Sequence, residues 1–177
     1  MRTLLIILLM SFTVANANII AGNAQGSVTL VEFYDYQCPH CMAMSGVIDK
    51  ALQASPNLRV VYRPIAVMNE LSRFEALSVI AANEQGKFEV LHGALMTHRI
   101  TNVEQIFLLA EQVGINVPTL QEAMQSKGVQ ETLANNLQLF YSTKASGIPL
   151  IMIGNQNNII AVHNGETTYE ELIHEIV

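Results

Sequence analysis

The sequence predicts an α/β fold with a central sheet and an inserted block of helices, and three observations carry that expectation. First, Val28 to Tyr34 is rich in β-branched and aromatic residues and leads through a helically spaced segment into a second apolar run, Leu58 to Tyr62. Second, residues from about 69 to 144 show helical spacing throughout. Third, two short apolar runs, Leu150 to Ile153 and Ile159 to Val162, flank the turn Gly154-Asn155-Gln156-Asn157-Asn158, and one more helix follows. The order is β-α-β, helices, β-β-α, and two parallel strands joined by a helix belong to an α/β sheet.

Composition sets the outer bounds. A length of 177 residues suits one domain with an insertion and is enough to bury a core. A charged fraction of only 14% with 50% hydrophobic residues excludes intrinsic disorder. A net charge of −6 without a basic cluster argues against a nucleic-acid partner, which needs concentrated Lys and Arg.

Taken in chain order, Arg2 precedes an apolar run from Leu4 that ends at Ala15-Asn16-Ala17, a small-x-small site. This pattern describes a secretory signal peptide over residues 1–17, cleaved after Ala17. Its apolar core falls well short of the ~20 residues a membrane-spanning helix needs. The near-continuous apolarity of Val28 to Tyr34 predicts a central strand covered on both faces. Cys41, Met44, Ile48 and Leu52 recur at helical spacing until Ser55-Pro56. In the helical block, Ser72-x-x-Glu75, Thr101-x-x-Glu104 and Thr119-x-x-Glu122 fit capping boxes, and Gly86, Gly114 and Gly128 fit C-terminal stops. Gly147-Ile148-Pro149 breaks the last of these helices, and the closing helix starts near Thr168 with Glu171 three residues on.

The chain has two cysteines, Cys38 and Cys41, separated by Pro39 and His40 at the junction of the first predicted strand and helix. A structural disulfide closing so short a loop gains only ~2 kcal/mol of chain entropy, against ~4.7 for a 100-residue loop. A structural zinc site needs four ligands, and neither a second Cys pair nor suitably spaced histidines exist. A dithiol that cycles with its disulfide fits best. Cys38 falls where unpaired backbone N–H groups and the positive end of the helix dipole stabilise a sulfur anion, an interaction of about 0.3–2 kcal/mol. Pro39 supplies a helix-ready φ and gives up an N–H that would be orphaned anyway. His40 and Cys41 are available as further donors to that sulfur. Stabilising the thiolate stabilises the reduced form and makes the disulfide a stronger oxidant, about 30 mV for each 1.4 kcal/mol. Cys41, one turn in, is the less exposed resolving thiol.

The run Val31-Glu32-Phe33-Tyr34-Asp35-Tyr36-Gln37-Cys38-Pro39-His40-Cys41, with Gly147-Ile148-Pro149 about 110 residues later, resembles the DsbA family of thioredoxin-fold thiol:disulfide oxidoreductases. The resemblance covers essentially the whole chain after residue 17. It implies a thioredoxin-like domain formed by residues 18–64 and 145–177, with residues 65–144 as the helical insertion. It implies that Ile148-Pro149 is cis and lies beside Cys38, with the Ile148 backbone free to pair with a substrate peptide. Many family members carry Val or Thr at the position of Ile148, so the resemblance does not carry over their substrate preference or redox potential. The resemblance also places Glu32 under the active site as proton acceptor for Cys41, with Arg59 or Arg63 on the next strand as its ion-pair partner; the alternative is an edge-exposed, idle Glu32.

The function expected from this resemblance is that of a periplasmic disulfide oxidase. It would need no cofactor, would act on newly exported proteins with free thiols, and would be reoxidised by a membrane protein of the DsbB type. An isomerase or reductase of the same fold is the first alternative. A periplasmic Cu(I) carrier using Cys38, Cys41 and Met42 or Met44 is the second, since soft sulfur ligands suit Cu(I). The few residues between the cleavage site and the first predicted strand leave no room for the N-terminal dimerisation domain of periplasmic isomerases, which favours a monomer. Met42 and Met44 read equally as an adaptable substrate surface or as core filling. His92 and His98 read as surface or second-layer groups, His163 and His174 as without chemical role, and Tyr34, Tyr36, Tyr62 and Tyr141 as packing residues.

Overall fold

The protein is described here by a computed structural model covering residues 18–177. The predicted signal peptide, residues 1–17, lies outside the described residues. In chain order the elements are β1 (Ile19–Gly22), β2 (Val28–Tyr34), α1 (Pro39–Ala54), β3 (Leu58–Pro64), α2 (Glu70–Glu84), α3 (Phe88–Thr97), α4 (Val103–Gln112), α5 (Val117–Gln125), α6 (Lys127–Thr143), β4 (Leu150–Gly154), β5 (Ile159–Asn164) and α7 (Tyr169–Ile176). The α/β class and the central sheet are as expected.

The sheet order is β1-β3-β2-β4-β5, so β2 is central, as its apolarity requires. It runs parallel to β3 and antiparallel to β4. On one face Leu30, Tyr34, Val60, Tyr62, Ile151 and Ile153 pack with Cys41, Met44 and Ile48 of α1 and Leu172 of α7. On the other face Val31, Phe33, Val61, Leu150 and Met152 pack with Phe140 of α6. Burying each such large aliphatic or aromatic side chain contributes roughly 1.5–3 kcal/mol.

The sequence reading missed β1, which pairs antiparallel with β3 in the stretch that was read as a short leader to the first strand. Four residues with the pattern Ile-Ile-Ala-Gly are too short to show a period. The cap residues also need correction. The helices at 70, 103 and 117 are capped by Asn69, Asn102 and Asn116, whose side chains accept from the N–H groups of Ser72, Gln105 and Thr119. Ser72 and Thr119 are therefore third helical residues, and Thr101 precedes its cap. Gly86 and Gly114 do end helices, at φ +65° and +78°. Gly128 does not: it lies in the first turn of α6, which Ser126 caps. The closing helix carries the expected Thr168–Glu171 capping box. Tyr34, Tyr36 and Tyr62 are buried, but Tyr141 is 66% exposed on α6 and does not pack the core.

Candidate active site

The candidate site forms where β2 ends and α1 begins. Asp35, fully buried, folds this junction. Its Oδ1 accepts from the Gln37 N–H at 2.9 Å, an Asx turn, and its Oδ2 accepts from the Val67 and Met68 N–H groups at 2.8 and 3.0 Å. Its carbonyl accepts from the Cys38 N–H at 3.1 Å. These bonds leave Cys38 as the N-cap of α1, at φ −89° and ψ 114°, with Pro39 beginning the helix. No side chain caps this end, so its first-turn amides and dipole are available to a sulfur anion at position 38.

Ile148-Pro149 is cis, and the Ile148 carbonyl lies 4.0 Å from Cys38 Sγ. The structure thus brings together Cys38, Cys41, Pro39, Ile148 and Pro149. Both cysteines are free thiols and both are buried, Cys38 with 4% of its surface exposed and Cys41 with none. Burial pushes the Cys41 thiol far up, and although a backbone bond from Asp35 opposes this, Cys38 and Glu32 add to it. Cys41 therefore strongly prefers to be a protonated thiol.

Glu32 is fully buried on the same sheet face as Cys41, and neither carboxyl oxygen has a hydrogen-bond partner. Burial, reinforced by the charge of Asp49, pushes it up to about 8. It is neither edge-exposed nor paired with arginine, and strand register is the reason. Glu32 aligns with Tyr62, so Arg59 and Arg63 project from the opposite face. There Arg59 bonds to Thr29, and Arg63 bonds to Asn136 of α6 and to Asn18. Glu32 consequently carries a proton at neutral pH, and the charge left by losing it would push the Cys41 thiol further up.

The exposed imidazole of His40 meets Glu166, in the turn before α7, through Nδ1. Met44 is core and Met42 half-buried, which settles Met44 as packing. His92 is a buried second-layer group. Its Nδ1 bonds Tyr36 Oη at 2.8 Å, Tyr36 Oη bonds Tyr34 Oη at 3.0 Å, and burial lowers it to about 3, so it is neutral. His98 is exposed, and His163 pairs with Glu175 at 2.7 Å.

Sequence reasoning missed the polar stitch beside Cys38. Gln37 Nε2 donates to both oxygens of buried Glu75 at 3.0 and 3.1 Å and to the Ile100 carbonyl at 3.2 Å, tying the active-site turn to the helical block. Burial pushes Glu75 up to about 7, Gln37 opposing and Asp35 adding. The Asp-x-Gln spacing was the available signal for the turn; Glu75 lies too far along the chain to be matched with it. Among the described residues no cluster of three or more His, Cys, Asp or Glu is arranged to hold a metal, and no helix is long and apolar enough to cross a membrane.

Comparison with known proteins adds the family. The sequence model of the DSBA-like thioredoxin domain matches residues 29–176. The fold is similar to that of a thioredoxin-like oxidoreductase from Silicibacter pomeroyi, with 31% identity and a TM-score of 0.85 over 93% of this chain and 92% of that one. A periplasmic thioredoxin-like protein from Salmonella enterica serovar Typhimurium shares the fold at 24% identity, with a TM-score of 0.82 over 97% and 94% of the two chains. Among curated sequences, the chain is 23% identical over 156 residues to the Na(+)/H(+) antiporter NhaA 3 of Salinispora tropica; the match spans 86% of this chain but only 23% of that protein's length.

Proposed function

The chain belongs to the DSBA-like thioredoxin family, whose fold is that of thiol:disulfide oxidoreductases, and from that premise we propose that it is an exported disulfide oxidase working in the periplasm. The observation that supports this most is the pairing of unlike sulfurs: Cys38 at an uncapped helix N-terminus beside Ile148, and Cys41 enclosed on the sheet face that also holds the protonated Glu32 carboxyl.

The reaction starts from the Cys38–Cys41 disulfide. A thiolate of a newly exported protein attacks Cys38 Sγ, the S–S bond breaks, and Cys41 leaves as a thiolate. That anion is in the wrong environment, and Glu32, which holds a proton at rest, donates it to Cys41 rather than accepting one as the resemblance implies. The helix N-terminus acts in the next step, where it stabilises the charge on Cys38 as that sulfur is expelled. A second substrate thiolate then attacks the substrate sulfur of the mixed disulfide and expels Cys38 as a thiolate. The substrate has gained a disulfide and lost two electrons, and the protein has gained both. A membrane reoxidase of the DsbB type returns them to an acceptor, and the chain acts as a monomer on extended peptide laid against Ile148.

Three assays test this reading. The oxidised protein should oxidise a reduced, unfolded multi-thiol protein stoichiometrically and should be readily reduced by glutathione. It should rescue a scrambled-disulfide protein poorly. Efficient rescue with weak oxidation would replace the oxidase by an isomerase, and loss of neither activity on replacing both cysteines would remove the dithiol mechanism.

A further inference from the structure

The sheet face covered by α6 is covered along only part of its length. Phe140 closes it over Phe33, 5.9 Å between ring centroids, and Asn136 holds Arg63. At the opposite end of β2 from Cys38 the same face opens into a cleft of about 200 Å³, lined by Arg59, Thr29, Ser27, Gln25 and Gln156 among others. Register makes the floor. Arg59 and Thr29 are side by side on adjacent strands, and Asn155 and Gln156, which follow the end of β4 at Gly154, complete the lining.

Two ordered turns make the walls. Asn23 Oδ1 accepts from the Gln25 N–H at 2.9 Å, and a Cβ on Gly26 would meet the Asn57 carbonyl oxygen at 2.3 Å, so this turn packs as only glycine permits. Across the cleft, Asn155 Oδ1 accepts from the N–H groups of Asn157 and Asn158, both at 2.9 Å. Arg59 Nε and Nη2 donate to Thr29 Oγ1 at 3.1 and 2.6 Å, which fixes the guanidinium plane. A guanidinium has five N–H donors, and this anchor uses two.

The chemistry of the cleft is one-sided. Its groups are a guanidinium, two hydroxyls and carboxamides, and among the described residues no carboxylate lines it. Among the described residues no carboxylate pairs with Arg59, in a chain whose net charge is −6. A fixed fork with neutral donors around it matches the oxygens of a carboxylate or phosphate.

We propose that this cleft binds a small oxyanion, a phosphate or carboxylate group, independently of the dithiol site. The acidic surface elsewhere repels anions, so saturable binding here is specific rather than diffuse.

The test is amide NMR on the chain titrated with inorganic phosphate, then with acetate, at ionic strength held constant with chloride. The expected result is saturable shifts confined to the amides of residues 25–29 and 154–158, with a midpoint in the millimolar range. Arg59→Gln should weaken the midpoint about tenfold, the loss of one charge-assisted contact. Thr29→Val, which removes the anchor and keeps the charge, should weaken it as well, so a folding failure of one variant does not decide the matter. Sedimentation with phosphatidic acid vesicles separates the sources. Arg59-dependent vesicle binding without a response to free phosphate assigns the site to a lipid headgroup. Shifts that never saturate or map elsewhere, or Arg59→Gln and Thr29→Val titrating like the parent with no vesicle binding, would overturn the proposal.

Discussion

Replacing Glu32 by Gln should change how stability depends on pH, and the structure sets the size of the change. Glu32 is fully buried with both carboxyl oxygens unpartnered, and its proton is released only at about pH 8 instead of 4.5. Between those values the folded chain keeps a proton that the unfolded chain has lost, so stability falls as pH rises. At 1.36 kcal/mol per pH unit, the rise from 4.5 to about 8 costs about 3 kcal/mol at pH 7 and about 5 above pH 8. These are large fractions of a domain's total stability of about 5–15 kcal/mol. Gln cannot titrate and nearly preserves shape. Urea unfolding of both proteins at intervals from pH 4.5 to 8.5 should show the parent losing stability along this curve and the variant staying flatter, so that the variant is the more stable above neutral pH. Parallel pH profiles for the two proteins would mean that Glu32 does not hold its proton in the fold, and the proton donation assigned to it would fail with that result.

His92 works from the acid side. Because it is buried neutral and lowered to about 3 from 6.5, the unfolded chain takes up a proton that the folded chain refuses, and stability is lost as pH falls through that range. His92→Phe should flatten the acid limb of the same urea profile; an unchanged limb contradicts the assignment. Asn136→Ala removes an acceptor for Arg63 and a donor to the Pro64 carbonyl, both buried, and should cost about 1–3 kcal/mol in urea unfolding. A loss of a few tenths would show that water replaces both bonds. Gly22 sits at φ +76°, where a Cβ would meet the Leu58 carbonyl oxygen at 2.6 Å, so Gly22→Ala should lower the thermal midpoint by several degrees, matching about 1–3 kcal/mol. An unshifted midpoint would show that the β1–β2 turn yields freely.

Much of the fold was legible because the long elements carry their own periodicity. Val28 to Tyr34 announced a central strand, and Cys41, Met44 and Ile48 announced the buried stripe of the first helix. The two sulfurs, with Pro39 between them, announced the site because a redox dithiol needs that helix end. What stayed hidden depended on strand register or on distant packing. That Glu32 meets no arginine is decided by its alignment with Tyr62, which the sequence does not encode locally; a one-residue slip would have faced it toward the arginines. The caps at Asn69, Asn102 and Asn116 were displaced by Ser and Thr patterns nearby, although Asn is an equally good cap. Glu75 meets Gln37 only because the second helix folds back onto the active-site turn.

The account stands or falls on which sulfur exchanges with substrate. The direct measurement is trapping with a reduced, cysteine-containing peptide on Cys41→Ser and Cys38→Ser variants activated as mixed disulfides, read by mass spectrometry. Cys41→Ser should accumulate a peptide adduct at Cys38 that a second thiol resolves only slowly, and Cys38→Ser should exchange little because Cys41 is fully enclosed and lies away from the uncapped helix N-terminus. Equal adduct yields on the two variants, or a larger yield on Cys41, would contradict the division of labour between them.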